Sequence, residues 1–255
     1  MLKMALVDSG SALAISAAAD LRSRYDWVAP EQAELIIALG GDGFMLQTLH
    51  AMLDEDRILP VFGMNRGTVG FLMNEFRLDA LAIRIERAKA FTVSPLIADI
   101  TTTSGERHSL AAINELSLLR ETRQTAKIEV TLDGRCMMPE LVCDGVLVAT
   151  PAGSTAYNLS ANGPILPLDS AVLAVTPISP FRPRRWRGAI VPDRTRIGLK
   201  VREAAKRPVS AVADQREVRD VRLVDIAVDR GRKLTIMFDP EHALDERIAR
   251  EQFTS

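Results

Sequence analysis

Cysteine is nearly absent: Cys136 and Cys143 are the only two in 255 residues. Two cysteines cannot staple a chain of this length, and residues 1–7 read as a strand rather than a secretion signal. Both thiols are therefore expected free, in a cytoplasmic protein. Histidine is almost as scarce. His50, His108 and His242 lie far apart, and no His/Cys spacing suits a zinc site. No side of the charge balance dominates either. A net charge of −1 gives no general attraction for polyanions, so no nucleic-acid partner is expected. No apolar run approaches membrane-spanning length, so no membrane partner is expected. What the chain does have is 47% hydrophobic residues, enough core for one large domain or two modest ones.

One stretch organises the first third. Leu35-Ile36-Ile37-Ala38-Leu39 is an apolar run suited to a buried strand. It breaks at Gly40-Gly41-Asp42-Gly43 and resumes with helical composition at 44–49. Three glycines in four positions let the backbone turn sharply and approach a ligand. The amides opening the next helix favour anions. A carboxylate placed beside phosphates would repel them unless it has a task. Asp42 has three readings: it holds a divalent ion that bridges phosphates, it takes a proton from an attacking hydroxyl, or it caps the helix.

Around this turn, strands expected at 3–7 and 59–64 alternate with helices at 12–22 and 77–89. A second glycine-punctuated loop spans 65–72. That alternation predicts a parallel α/β domain over 1–90. From 91 to 238 the texture is of alternating strands and turns, as at 127–133, 196–202 and 221–228, which predicts an antiparallel β domain. Asp239-Pro240 then suits a helix start, with Leu244 and Ile248 on one face. The stretch 239–255 is expected to return as a helix to the first domain.

The β half carries two further clusters. Ala112-Ile113-Asn114-Glu115-Leu116-Ser117 sets two polar side chains in an apolar strand, where they are costly without partners. Asn114 can donate to and accept from a purine edge, and Glu115 can accept from ribose hydroxyls. Asp144-Gly145 leads an apolar strand into Thr150-Pro151-Ala152-Gly153-Ser154-Thr155-Ala156-Tyr157-Asn158-Leu159-Ser160. Small residues there leave room for a flat ligand, hydroxyls suit phosphate or ribose, and Tyr157 offers a ring. An ordinary turn held by Ser/Thr side chains is the plainer alternative.

In order and spacing, Gly40-Gly41-Asp42-Gly43, Asn114-Glu115 and the Asp144-to-Ser160 run closely resemble the NAD kinases. So do Gly67-Thr68-Val69-Gly70-Phe71-Leu72, Gly163-Pro164-Ile165, Thr176-Pro177-Ile178 and 238–242. The glycine–aspartate turn is shared with lipid kinases and phosphofructokinases; the Thr150-to-Tyr157 run is the more specific sign. The resemblance implies transfer of the γ-phosphoryl of ATP to the 2′-hydroxyl of the adenosine ribose of NAD, giving NADP. It implies Asp42 as general base and Gly41, Gly43 and Phe71 near the ligand. Asn114, Glu115, Asp144, Ala152, Thr155, Ala156, Tyr157, Asn158, Leu159 and Ser160 are implied in dinucleotide binding. It further implies a divalent metal ion, Mg²⁺, carried with ATP rather than held by a protein metal site, and a homodimer or homotetramer. Two other readings are a catalytically silent NAD(P)-binding regulator and a lipid or sugar kinase of the same superfamily.

The chain departs from the family pattern at Phe44, where a threonine usually follows the turn. It departs again at Ser179-Pro180-Phe181, and at Asp214-Gln215 in place of Asp-Gly. The basic run 181–188, with four arginines, reads first as a loop pairing with carboxylates of the same or a neighbouring subunit. Contact with a phosphate chain comes next, and nucleic acid last.

Overall fold

The computed structural model describes residues 2–67 and 70–240. The described parts of Met1–Val93 and Arg232–Ser255 form one compact unit, and Ser94–Gly231 form another.

The first unit opens with β1 (Met4–Asp8), α1 (Ala12–Arg22), β2 (Leu35–Gly40) and α2 (Asp42–Asp54). It continues with β3 (Val61–Asn65), α3 (Leu81–Arg87) and β4 (Lys89–Val93). The helix α1 forms because alanine has the best helix propensity and Ser11 caps it, its hydroxyl accepting the Ala14 amide at 3.3 Å. Its small buried face, Ala14, Ala17 and Ala18, lies with Leu21 on a core of Leu35, Ile37, Leu39, Phe62 and Met64. All six residues of β2 are buried, as a central parallel strand requires.

The second unit contains β5 (Leu96–Thr102), β6 (Arg107–Ala112), β7 (Glu115–Arg120), β8 (Ala126–Leu132), β9 (Arg135–Cys143) and β10 (Gly145–Ala149). The single-turn α4 (Tyr157–Ser160) follows. Then come β11 (Val172–Ile178), β12 (Ala189–Pro192), β13 (Ile197–Val201), β14 (Val209–Ala213), β15 (Arg216–Val218) and β16 (Val221–Val228). Two six-stranded antiparallel sheets result, ordered β12-β11-β10-β7-β14-β15 and β6-β5-β16-β13-β8-β9. Inward-facing residues of both, among them Ile100, Ile128 and Leu199 from one and Leu118, Val146 and Val175 from the other, share a single core.

The chain then re-enters the first unit as β17 (Leu234–Phe238), giving the order β1-β2-β3-β17-β4. This corrects two sequence expectations. The first sheet is mixed rather than purely parallel, because β4 runs antiparallel to β17. Residues 89–93 and 234–238 belong to that sheet, although the strand-rich texture had placed 91–238 wholly in the β domain. Local patterning shows that a segment is a strand but not which sheet it joins. The helix expected over 77–89 is also shorter, since Ala80 adopts a left-handed backbone (φ 58°) just before α3. The returning helix expected over 239–255 lies, beyond residue 240, outside the described residues. No helix among the described residues is long and apolar enough to cross a membrane.

Within the first unit, Asn74 ties the sheet together. Its buried side-chain amide donates to the Gly63 and Met237 carbonyls at 2.9 and 3.0 Å and accepts the Asp239 amide at 2.8 Å. Beside it, the Arg84 guanidinium pairs with Asp239 at 2.5 Å and donates to the Glu75 carbonyl at 2.8 Å.

Candidate active site

In the first unit, Gly41 precedes α2 in extended conformation and Asp42 is the first helical residue. Asp42 does not cap its own helix; no side chain does so at this end. Its carboxylate instead reaches the second glycine loop, where Oδ2 accepts the Phe71 amide at 2.6 Å and Oδ1 the Leu72 amide at 2.9 Å. A Cβ on Gly70 would lie 2.5 Å from Oδ1, so glycine there is what permits the approach. Two charge-assisted bonds fix the orientation of the carboxylate. The structure thus joins the glycine turn to Phe71, while 68 and 69 lie outside the described residues. Gly43 is exposed beside them, with open space where a side chain would be.

In the second unit, β7 and β10 pair directly, with Glu115 opposite Ala149. The Thr150 amide donates to the Asn114 carbonyl at 2.9 Å, and its hydroxyl donates to the Ile113 carbonyl at 2.7 Å. Gly153 packs so closely that an added Cβ would lie 2.2 Å from the Asn114 carbonyl oxygen. Gly153→Ala is therefore expected to displace the 113–115 backbone and lower the melting temperature, which calorimetry reads. The structure thus brings Asn114, Glu115, Ala152 and the turn running to Tyr157 onto one wall.

Their side chains divide by task. Ser154 and Asn158 are fully buried. Ser154 Oγ accepts the Leu166 amide at 3.0 Å; Asn158 donates to the Ser154 and Pro164 carbonyls and accepts the Thr176 hydroxyl at 2.6 Å. These two staple the turn from inside. Tyr157 packs against the small buried cluster of Leu147, Ala149, Leu166 and Ala174, and burial, then Glu115 and Asp144, push its phenol up. Thr155, Ala156 and Leu159 are part-exposed and Ser160 is exposed. Asp144 is neutralised by Arg120, whose Nε lies 2.6 Å from it.

Two acceptors stand out. Asn114 Oδ1 and Glu115 Oε2 are buried and have no hydrogen-bond partner among the described residues. Each costs about 1–3 kcal/mol until a donor reaches it. Burial first, then the charge of Asp214, push the Glu115 carboxyl up to about 7, against the pull of the Tyr157 amide. Between its ordinary 4.5 and about 7 the folded protein holds a proton that the unfolded chain releases. The ligand-free protein should therefore lose stability as pH rises through that window. Glu115→Gln should flatten the decline, as melting curves across the range will show.

Sequence reasoning passed over Arg120 and noted Asp214 only within the Asp214-Gln215 departure from the family pattern, without a role. The Asp214 carboxylate accepts the amides of Ile113, Asn114 and Glu115; its one sequence signal was its place in the Asp-Gly position of the family pattern. Of the two pairings expected for the basic run, the one within the same subunit is not found among the described residues. Among the described residues Arg182, Arg184, Arg185 and Arg187 meet no carboxylate, and the first two lie over the Phe181 ring at 5.4 and 5.3 Å. Nor do the described residues gather three or more metal-ligating side chains at one place.

The architecture is that of a crystallised yeast NADH kinase complexed with NADH, at TM-score 0.86 and 20% identity over 100% of this chain and 89% of that one. It is also that of an Archaeoglobus fulgidus NAD kinase in complex with ATP, at TM-score 0.75 and 22% identity over 99% and 97%. The fold defines a chain of one mixed-sheet α/β unit and one unit of two antiparallel sheets. Residues 6–90 match the ATP-NAD kinase N-terminal domain and 113–238 the C-terminal domain. The NAD kinase of Rhizorhabdus wittichii is 66% identical over 98% of both chains, and that of Zymomonas mobilis 63% over 98% and 97%. The chain belongs to the NAD kinase family.

Proposed function

We propose that this protein is an NAD kinase that transfers the γ-phosphoryl of ATP to the 2′-hydroxyl of the adenosine ribose of NAD, giving NADP and ADP. The observation that carries the reading is the buried, unpartnered pair Asn114 Oδ1 and Glu115 Oε2, held on the Thr150-to-Tyr157 wall. A ligand rich in amide, amine and hydroxyl donors satisfies both, and a dinucleotide is one. A lipid acceptor would leave them unpaired, which disfavours a lipid kinase of the same superfamily.

In this reading Asn114, Glu115, Asp144, Ala152 and 155–160 hold the dinucleotide. Gly41, Gly43 and Phe71 border the transferring phosphoryl. Asp42 takes the proton of the ribose hydroxyl as its oxygen bonds to the γ-phosphorus. The bond from phosphorus to the β,γ-bridging oxygen breaks, and ADP leaves. A positioned base of this kind contributes roughly 10²- to 10⁴-fold; the remainder is positioning and electrostatic stabilisation of the transferred group. Asp42 is engaged with two amides, and in this reading the divalent ion enters with the triphosphate, as part of the substrate. The enzyme works in the cytoplasm as a homodimer or homotetramer, which light scattering on the purified protein tests.

The deciding experiment incubates the protein with NAD, ATP and Mg²⁺ and detects product with an NADP-specific dehydrogenase. Product formation is expected. NAD binding without product would favour a regulatory role instead.

A further inference from the structure

Asp214 stands in the turn between β14 and β15, its backbone in the left-handed region at φ 52°. Oδ2 accepts the Ile113 amide at 2.7 Å, and Oδ1 accepts the amides of Asn114 at 3.0 Å and Glu115 at 3.2 Å. Its own amide donates to the Glu115 carbonyl at 3.1 Å. Three successive amides thus converge on one carboxylate, immediately behind the two side chains whose acceptors lack partners. Tying a turn does not require a full charge, and a negative charge beside buried Glu115 works against that residue's ionisation.

We propose that Asp214 is a positioning residue for the dinucleotide: its carboxylate holds the 113–115 backbone so that the Asn114 and Glu115 side chains stand ready for the ligand. This rests on the reading of Asn114 and Glu115 as dinucleotide contacts. A second effect follows from its charge. The groups acting on Glu115 are Asp214 from the β14–β15 turn and the Tyr157 amide from α4; Asp144, paired with Arg120, acts on the Tyr157 phenol rather than on Glu115. Removing the Asp214 charge lets Glu115 ionise at lower pH. Ionised Glu115 is the form that accepts two ribose hydroxyls, so affinity for NAD should then persist further into acid.

The test compares Asp214→Asn, Asp214→Glu and Glu115→Gln with the wild type in steady-state kinetics across pH. It is joined by a carbon-13 NMR titration of the Glu115 carboxyl in the ligand-free protein. Asp214→Asn keeps an acceptor for two amides but sets an NH₂ group against the Ile113 amide. It should raise the KM for NAD about tenfold, the loss of roughly one good hydrogen bond, and leave kcat and the KM for ATP nearly unchanged. It should also move the acid limb of kcat/KM, and the Glu115 titration, to lower pH. Asp214→Glu keeps the charge but displaces the carboxylate. It should raise the KM for NAD without moving the limb, and it carries the test if the asparagine variant does not fold. Glu115→Gln should abolish the limb. An unchanged KM for NAD in both Asp214 variants, or an unmoved Glu115 titration in Asp214→Asn, overturns the proposal. So does a loss shared equally between NAD and ATP. If the wild type itself neither binds nor phosphorylates NAD, the functional reading has failed and the proposal falls with it.

Discussion

Asp42→Asn is expected to lower kcat about 10²- to 10⁴-fold, with NAD still bound, because asparagine cannot take the ribose proton. The substitution is not silent for the fold. Asp42 accepts the Phe71 and Leu72 amides through separate oxygens, and asparagine would face one of them with a donor. A modest fall in melting temperature should accompany the kinetic loss. Gly70→Ala separates the two contributions: its Cβ would meet Asp42 Oδ1 at 2.5 Å, disturbing the anchor while keeping the carboxylate. If Asp42 is the base, single-turnover rates in Asp42→Asn should fall at least about tenfold below those of Gly70→Ala. Equal rates in the two variants would make Asp42 an anchor for the 70–72 backbone and nothing more.

Arg84→Met should be the most destabilising single change in the first unit. The Arg84 and Asp239 side chains are only 10% and 9% exposed, and Arg84 also donates to the carbonyls of Glu75 and Arg77. Removing the cation strands a buried carboxylate, a loss of about 3–5 kcal/mol. For a chain of this size that corresponds to roughly 6–20 °C in melting temperature. The double variant Arg84→Met/Asp239→Asn leaves no unpaired charge and should recover much of the loss. Thermal denaturation of the three proteins decides it: a double variant as unstable as the single one would place the cost in lost packing over Phe62, whose ring lies 5.2 Å from the guanidinium.

Much was written in the sequence. The apolar run 35–39 and the Gly40-to-Gly43 break specified a buried strand, a turn and a helix, because hydrophobic run length and glycine are local signals. The alternation at 127–133 and 196–202 specified half-buried strands by the two-residue period of the pleat. The order and spacing of the Asp42, Asn114-Glu115 and Thr150-to-Tyr157 clusters specified the family. What the tertiary structure alone decided were the long-range partnerships. Strand β17 joins the first sheet across a separation that no window of sequence spans. Asp42 turned from its own helix to amides some thirty residues on. Within the Thr150-to-Ser160 run, composition could not divide Asn158, buried as a staple, from Thr155 and Ser160, which keep some exposure. Asp214 gained its place behind Asn114 and Glu115 only when β14 paired with β7. Residue type and spacing fix what a side chain is able to do. Sheet pairing, which brings together groups about a hundred positions apart, fixes which partner it does it with.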